Sequence, residues 1–381
     1  LARILGPDQI GLLNFAESIS RYFILVAALG IPIYGVREIA KQQENKLNRS
    51  QVFVEIAIIN LITTILLTIV FVAIILWVPM LRDELPLFGW AIAYFILQMF
   101  YFEWFFTGMN QFKFIALRSF VIRFLFIVFV FVLIQSKSDY LKYMQMQVLL
   151  SLLIALINFK YLYSLLDLKN IRLSNLNLKQ HLKPLFLLFL TIFSISIYFS
   201  LDTILLGFLA NNESVGYYSS ALKLTKLIIA VLGSISVAMF PQMINLYHNG
   251  GEEQFERMVK QCYTLILSLS IPLVILIMGS ANDIITLFLG DHFTRAILPL
   301  QITAPLITIV SLSGIFGFQV LSALSKDKAI LLSAIIGMIF SIILSILLVP
   351  HYKENGEAIT ILITELSVSL SFIYFSNKYF S

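Results

Sequence analysis

Long, almost uninterrupted apolar segments recur along the whole chain, separated by short polar connections. A membrane-spanning helix needs about 20 predominantly apolar residues, and each segment is long enough. Transmembrane β-strands instead alternate polar and apolar residues over about ten positions, a pattern these continuous runs lack. The pattern therefore predicts an all-α polytopic membrane protein with eleven helices, at residues 14–36, 52–78, 86–108, 113–135, 141–166, 183–208, 215–246, 258–280, 297–324, 328–349 and 356–377.

Composition agrees with this interpretation. Of the 381 residues, 59% are hydrophobic and 12% are charged, whereas soluble domains average about 25% charged residues. A soluble globular fold is therefore excluded. The single cysteine, Cys262, excludes an internal disulfide and a multi-cysteine metal site. The net charge of +5 comes from basic residues in short loops, so it indicates membrane topology and not a nucleic-acid partner.

The loops divide into a strongly basic set and a weakly basic set. By the positive-inside rule the strongly basic loops are cytoplasmic, so the helix at 14–36 should run from outside to inside. The cytoplasmic set contains Arg37, Lys41, Lys46, Arg49, Lys113, Lys169, Arg172, Lys179, Lys183, Arg257, Lys260, Lys326, Lys328 and Lys378. The outer set contains Arg3, Arg82, Lys137, Arg295 and Lys353, with Lys142 uncertain.

The two halves of the chain resemble repeats. A shift of 205 positions aligns Gly11 with Gly216 and Arg21 with Lys226, and a shift of 215 aligns Lys113 with Lys328. Repeats with the same orientation are related by an axis along the membrane normal. We expect an N-lobe at 1–166, a cytoplasmic linker at 167–182 and a C-lobe at 183–381. The second half has six helices and the first has five, so we expect a further helix before Leu1 in the intact protein.

Basic residues lie inside the apolar segments at matching positions of the two halves. Arg21 and Lys226 each follow a glycine by ten residues, and Lys223 shares a helix face with Lys226. A charge within a membrane span is costly, and such a residue marks a functional site by default. The pattern predicts that the protein handles an anion. A structural alternative stays open, because Glu17 is four residues before Arg21 and Asp202 could pair with a lysine.

Other intramembrane charges allow two interpretations. Arg123 lies near mid-membrane, too deep for its side chain to reach the interface easily, so we expect it to face a wet cavity or an acid. Arg118 is a binding candidate that could instead pair with Glu103. Glu365 could exchange a proton or sodium ion, although an interhelical hydrogen bond is the simpler role.

Proline and glycine interrupt several helices, and Pro32, Pro241 and Pro305 are the hinge candidates. Ordinary helix packing explains such residues equally well. The four histidines are expected in loops and show no metal-ligand spacing. The sequence contains no recognisable catalytic triad or nucleotide-binding loop, so no enzymatic activity and no cofactor are expected.

Five segments resemble, in order, the bacterial polysaccharide and O-antigen flippases of the multidrug/oligosaccharidyl-lipid/polysaccharide exporter superfamily. They are LGPDQIG at 5–11, YGVREIA at 34–40, EWFFTGMNQFK at 103–113, GYYSSA at 216–221, and residues 319–328. The resemblance implies two six-helix lobes around a central cationic cavity that opens alternately to each side of the inner membrane. It implies that Arg21, Lys223 and Lys226 lie on cavity-lining helices.

The resemblance also implies a cargo, an undecaprenyl-diphosphate-linked oligosaccharide moved from the cytoplasmic to the outer leaflet. Besides this cargo and membrane lipids, polysaccharide polymerase machinery is an expected partner. Membrane potential, sodium or protons could drive the cycle. The alternatives are a cation-coupled multidrug antiporter of the same superfamily and, less favoured because the outer loops are short, a membrane polysaccharide polymerase or ligase.

Overall fold

The computed structural model describes residues 1–171, 176–248, 252–321 and 326–380, and within these ranges the regular structure is entirely helical. The α-helices are α1 Ala2–Ala28, α2 Ile31–Lys41, α3 Lys46–Trp77, α4 Pro79–Arg82, α5 Leu85–Gln98, α6 Glu103–Gly108, α7 Phe112–Leu133, α8 Tyr140–Leu165, α9 Lys179–Leu209, α10 Asn212–His248, α11 Glu252–Phe288, α12 Ile297–Thr303, α13 Leu306–Ser313 and α14 Asp327–Phe380. Short 3₁₀ helices lie at Lys137–Asp139 and Asp291–Ala296, and a π-helix at Gly314–Leu321.

Helix α3 shows how the sequence builds a membrane span. The Asn45 side chain accepts a hydrogen bond from the Asn48 amide at 3.0 Å and caps the first turn. The 32 residues that follow are about 48 Å long. Ile65, Leu66 and Ile69 on its outer surface are more than half exposed. Such a surface is stable in lipid and not in water, which confirms the prediction of a membrane protein.

Eight helical segments of the described chain are long and apolar enough to cross a membrane, or nine if a bent pair at 291–317 forms one span. One of them, Lys328–Lys378, has 51 residues and would extend about 77 Å as a straight helix. The bilayer core is about 30 Å thick, so this segment has the length of two spans. Lys353, at φ 48° and ψ −125°, marks the kink between them, where we expected a loop of several residues.

Two of the three hinge candidates lie at breaks between helices. Pro32 lies in the first turn of α2, directly after Leu29 and Gly30 adopt positive φ and end α1. Pro305 lies between α12 and α13, whose axes bend by 45°. Pro241 falls within α10, but its side chain lies outside the described residues. Whether these breaks move during function stays a prediction.

Several predicted boundaries are wrong. The single helices expected at 14–36, 86–108 and 297–324 are each interrupted, the second at Phe102, which has φ 46°. The outer connection at 281–296, whose apolar run from Ile284 to Leu289 is compatible with a surface-lying helix, is indeed largely helical, because α11 continues to Phe288. The histidines are not in loops, since all four lie within helical elements, and His181 is buried.

The chain divides into two compact units. The first consists mainly of Ala16–Phe193 and the second of Gly6–Phe15 with Ser194–Ser381. The core of the first includes Phe53, Trp104 and Phe105, with Phe53 and Trp104 stacked at 5.5 Å. The six-helix lobes, the linker at 167–182 and the central cavity stay predictions.

The second unit contains a close helix crossing at the two glycines that the repeat aligned. A Cβ at Gly11 would collide with the backbone of Asn212, and a Cβ at Gly216 with the backbone of Pro7. Small residues allow helix backbones to approach this closely in membranes. The crossing explains why residues 6–15 group with the second half of the chain.

Candidate functional site

The first unit contains a polar cavity of about 300 Å³ between helices α1, α5, α7 and α8. Three of its lining residues carry charge: Glu17 and Arg21 from α1, and Arg123 from α7. The remaining lining residues are Tyr94, Tyr101, Ile122, Phe126, Tyr143, Gln147, Leu150, Ser151 and Ile154. The volume lies at the lower end of the range for small-molecule sites.

Arg21 faces this cavity with a largely exposed side chain. Its Nη2 lies 3.4 Å from Glu17 Oε2, one helical turn earlier on the same face. The opposite oxygen of Glu17 accepts a hydrogen bond from Gln147 Nε2 at 2.6 Å. The ion pair anticipated from the sequence therefore exists, but it is long and leaves most of the guanidinium donors of Arg21 available.

Arg123 is exposed on α7 and lines the same cavity. Within the described ranges, no hydrogen bond or ion pair is found for its guanidinium. The fold thus brings together two arginines that are far apart in the sequence. Two guanidinium groups at one polar cavity form an arrangement suited to a phosphate or diphosphate, since arginine binds such oxyanions through paired N–H donors.

The neutral polar lining was not predicted from the sequence. Tyr143, Gln147 and Ser151 follow one another at intervals of four on α8 and line the cavity together. The Tyr101 hydroxyl lies 3.2 Å from Ser151 Oγ. A polar stripe at helical spacing in an otherwise apolar segment is a readable signal of a face that turns away from lipid.

Arg118 lies in a different environment within the same unit. Its side chain is 2% exposed and donates to Glu103 Oε1 at 2.6 Å and to Asn158 Oδ1 at 2.6 Å. Asn158 also donates to the Phe100 and Tyr101 carbonyl oxygens at the break between α5 and α6. The geometry favours the structural alternative for Arg118 and Glu103, because the guanidinium is buried and bonded to protein groups.

The two lysine candidates lie on α10 in the second unit. Lys223 Nζ donates to Asn14 Oδ1 at 2.7 Å, and the Asn14 amide donates to Ser219 Oγ at 2.7 Å. Both Lys223 and Lys226 are exposed. Asn14 was not singled out from the sequence, although it is the first residue of the helix predicted at 14–36. The convergence of these lysines with the arginines stays a prediction.

A buried acidic group surrounds Tyr218 in the second unit. Its hydroxyl donates to Asp202 Oδ2 at 2.6 Å, and the side chains of Asp202, Glu357 and Glu365 are all buried. Ser345 donates to Glu357 Oε2 at 2.9 Å. In the part of the chain that the structure describes, the other oxygen of Glu357 and the hydroxyls of Thr360 and Thr364 have no hydrogen-bond partner. Sequence reasoning found Asp202 and Glu365 but missed Glu357.

A second buried polar group lies in the first unit. His181 Nε2 is 2.7 Å from Glu55 Oε2, and His181 Nδ1 is 2.8 Å from the Tyr34 hydroxyl. The Glu55 carboxylate also accepts from the Asn177 amide and the side chains of Gln51 and Gln180. This network ties the start of α9 to α2 and α3. Among the described residues, no cluster of three or more His, Cys, Asp or Glu could hold a metal ion.

Comparison with known proteins gives the chain its family. It is 25% identical to the "Putative O-antigen transporter" of Escherichia coli (strain K12) over 381 residues, covering 99% of this chain and 91% of the relative. The fold is similar to an inward-facing multidrug resistance MATE family transporter of the MOP superfamily (TM-score 0.77, 16% identity, 100% and 92% of the two chains covered). It is also similar to the lipid II flippase MurJ (TM-score 0.61, 15% identity, 97% and 89% covered). The model of one family, described as "Polysaccharide biosynthesis protein", matches residues 1–247, and because this is well over half of the chain, the protein belongs to that family.

Proposed function

We propose that this protein is a flippase of the bacterial inner membrane that moves a lipid-linked oligosaccharide of the O-antigen type from the cytoplasmic to the outer leaflet. Its family and its full-length similarity to a named O-antigen transporter support transport and not catalysis. The cargo is an undecaprenyl-diphosphate-linked oligosaccharide. Arg21 and Arg123 bind its diphosphate, and the lipid tail stays in the bilayer.

The observation that carries this proposal is the placement of Arg21 and Arg123 at one polar cavity inside a membrane protein. An intramembrane arginine costs about 2.5–3.5 kcal/mol by insertion scales, so two of them on one cavity need a compensating role. The Glu17 carboxylate offsets only one of the two positive charges. An anionic cargo supplies the remaining countercharge.

The inside-negative membrane potential contributes to driving this export. A charge that crosses the membrane gains about 2.3 kcal/mol per 100 mV, so a cargo with two negative charges gains about 4–5 kcal/mol per 100 mV. An alternating-access cycle can use this electrical free energy, because the negatively charged headgroup crosses the membrane outward and the binding site returns to the cytoplasmic side without it.

Coupling to an ion is a second part of the proposal. Asp202 and Glu357 are buried in the second unit, and Asp202 is bonded to Tyr218. When a buried carboxyl gains or loses a proton, the charge at that position changes, and this shifts the equilibrium between two arrangements of the surrounding helices. Glu365 belongs to the same neighbourhood, whereas Glu17 and Glu103 already pair with arginines. Sodium is the alternative coupling ion.

The test is restoration of surface polysaccharide in a strain that lacks its own flippase. Arg21→Ala and Arg123→Ala should each abolish export at normal protein levels, and the Lys variants should retain more. Loss of a charge-assisted bond costs about 1.5–3 kcal/mol, or roughly 10- to 150-fold in affinity. Lys137→Ala, at an exposed position of the short 3₁₀ helix before α8, is the control. Full export by the double Arg21→Ala/Arg123→Ala variant would refute the proposal.

The same strain distinguishes the proposed flippase function from the alternative, multidrug antiport. Such a protein would carry organic cations and should confer resistance to ethidium, with no effect on surface polysaccharide. The similarity to MATE structures concerns the fold alone, since the identity is 16%. Two arginines at the cavity disfavour a cationic cargo by like-charge repulsion.

A further inference from the structure

A second cavity lies within the second unit, and the proposed function does not use it. It has a volume of about 300 Å³ and is bordered by the first turns of α11, the π-helix Gly314–Leu321 and the last turns of α14. Its lining residues are Glu256, Val259, Lys260, Tyr263, Phe316, Val320, Ser376 and Asn377. Because π-helices are rare and are often found at functional sites, this cavity is a candidate binding site.

Apolar side chains form most of the wall of this cavity. Val320 is buried in a hydrophobic cluster with Phe255, and Val259 packs against the same cluster. Phe316 packs against a different cluster, which contains Phe372. The cavity is therefore lined by members of two hydrophobic clusters, and its wall suits a hydrocarbon chain better than a polar solute.

Polar groups lie at the rim of the cavity. Glu256, Lys260 and Asn377 are exposed, and Tyr263 is 39% exposed. Tyrosine and lysine are typical of the membrane–water interface, because each joins an apolar ring or stem to a polar tip. Lys260 belongs to the loops predicted to be cytoplasmic, so we expect the cavity to open at the cytoplasmic leaflet. An apolar wall with a polar rim at that depth matches a phospholipid.

The charges of the rim narrow the choice of headgroup. Glu256 and Lys260 are four residues apart on one face of α11, which places their Cβ atoms about 5–6 Å apart. Among the described residues, no hydrogen bond or ion pair is found for either side chain. A phosphoethanolamine headgroup carries a phosphate and an ammonium joined by a two-carbon link. Lys260 can donate to the phosphate while Glu256 accepts from the ammonium, so both charges are matched.

Two other headgroups match this pair less well. A phosphatidylglycerol headgroup has a negative charge and no cation, so Glu256 would repel it. A phosphatidylcholine headgroup has a cation without N–H groups, so it cannot donate a hydrogen bond to the carboxylate. Of these three phospholipids, phosphatidylethanolamine therefore complements both charges of the rim.

We propose that this cavity is a binding site for one phosphatidylethanolamine molecule of the cytoplasmic leaflet. Its headgroup lies between Glu256 and Lys260, and the start of one acyl chain lies against Phe316 and Val320. The buried side chain of Ser376 lines the same cavity and adds a hydroxyl for hydrogen bonding. The lipid contacts three helical segments of the second unit at once, so its binding stabilises their packing.

Competition binding to the purified full chain, measured by native mass spectrometry, tests this site. The three probes are phosphatidylethanolamine, phosphatidylglycerol and phosphatidylcholine with identical dioleoyl chains. The native protein should bind phosphatidylethanolamine roughly two- to fivefold more tightly than either competitor, as expected for one exposed charge pair. Glycerophosphoethanolamine, which has the headgroup without the chains, should not displace the lipid, because the apolar wall contributes to binding.

Reversal of one charge gives the decisive comparison. Glu256→Lys places two cations at the rim, so the preference should invert and phosphatidylglycerol should bind more tightly than phosphatidylethanolamine. Glu253→Lys makes the same change in net charge at an exposed position of α11 that does not line the cavity, and it should keep the native preference. The ratio of two lipids bound in one sample does not depend on the fraction of the protein that is folded.

Equal binding of phosphatidylethanolamine and either competitor by the native protein would overturn the proposal, and so would displacement by glycerophosphoethanolamine. A Glu256→Lys variant that keeps the native preference would show that Glu256 does not select the headgroup. A Glu253→Lys variant that inverts the preference would show that lipid selection depends on overall charge and not on this cavity. Either result would also refute the site.

Discussion

Removal of the Glu55 carboxylate should destabilise the first unit strongly. Glu55 is fully buried and accepts hydrogen bonds from the Asn177 amide at 2.8 Å and from Gln51 and Gln180 at 3.0 Å each. His181 lies 2.7 Å from the same carboxylate. Glu55→Ala removes an acceptor from all four groups, of which the His181 ring is itself buried, and it separates the start of α9 from α3.

The expected magnitude follows from these contacts. A buried polar group that loses its partner costs about 1–3 kcal/mol, and such losses within one network are not additive. Breaking a buried pair by removing one member costs about 3–5 kcal/mol in total. We expect this loss in the free energy of unfolding for Glu55→Ala. Glu55→Gln keeps one acceptor oxygen and should lose about 1–3 kcal/mol.

Unfolding of the purified protein in mixed micelles with increasing SDS measures these differences. Trp104 stacks on Phe53, two residues from Glu55, so its fluorescence reports on the same core. Glu44→Ala is the control, because Glu44 is exposed in the connection before α3, where substitutions usually change stability by less than about 0.5 kcal/mol. If Glu55→Ala and Glu44→Ala unfold alike, the network contributes nothing to stability and our interpretation of it is wrong.

Two further predictions concern packing and topology. Gly11→Ala should lower the free energy of unfolding in the same assay by about 1–3 kcal/mol, because the added Cβ would meet the Asn212 backbone. Gly233→Ala is the control and should not lower it, since the space around Gly233 is open. Equal effects of the two substitutions would contradict the glycine crossing. In a Cys262→Ser background, Glu44→Cys should react with a membrane-impermeant maleimide only after permeabilisation, and Arg82→Cys should react in intact spheroplasts. Reversed labelling would invert the orientation.

The membrane class was predictable from the sequence because it depends on local composition. Apolar runs of about 20 residues suffice to identify spans, whatever their neighbours are. The breaks were only partly predictable. Pro32 and Pro305 signal interruptions through their missing amide hydrogens, but Phe102 carries no such signal, and its positive φ depends on the packing around it.

The candidate site divides in the same way. Arg21 and Arg123 were visible in the sequence, because a charge within an apolar segment is anomalous in any fold. Glu55 and His181 lie near segment ends, where charged residues are ordinary, so their burial and pairing could not be inferred from position. Glu357 was missed for the same reason.

The sequence by itself determined that this chain is a helical membrane protein with basic residues at depth, since hydropathy and charge are properties of each segment alone. Only the tertiary structure decided which of these charges are available. In the folded protein, Arg118 is buried and paired with Glu103, whereas Arg21 and Arg123 line one cavity. That choice depends on how helices rotate and pack against one another, which is a property of pairs of segments and is not encoded in any one of them.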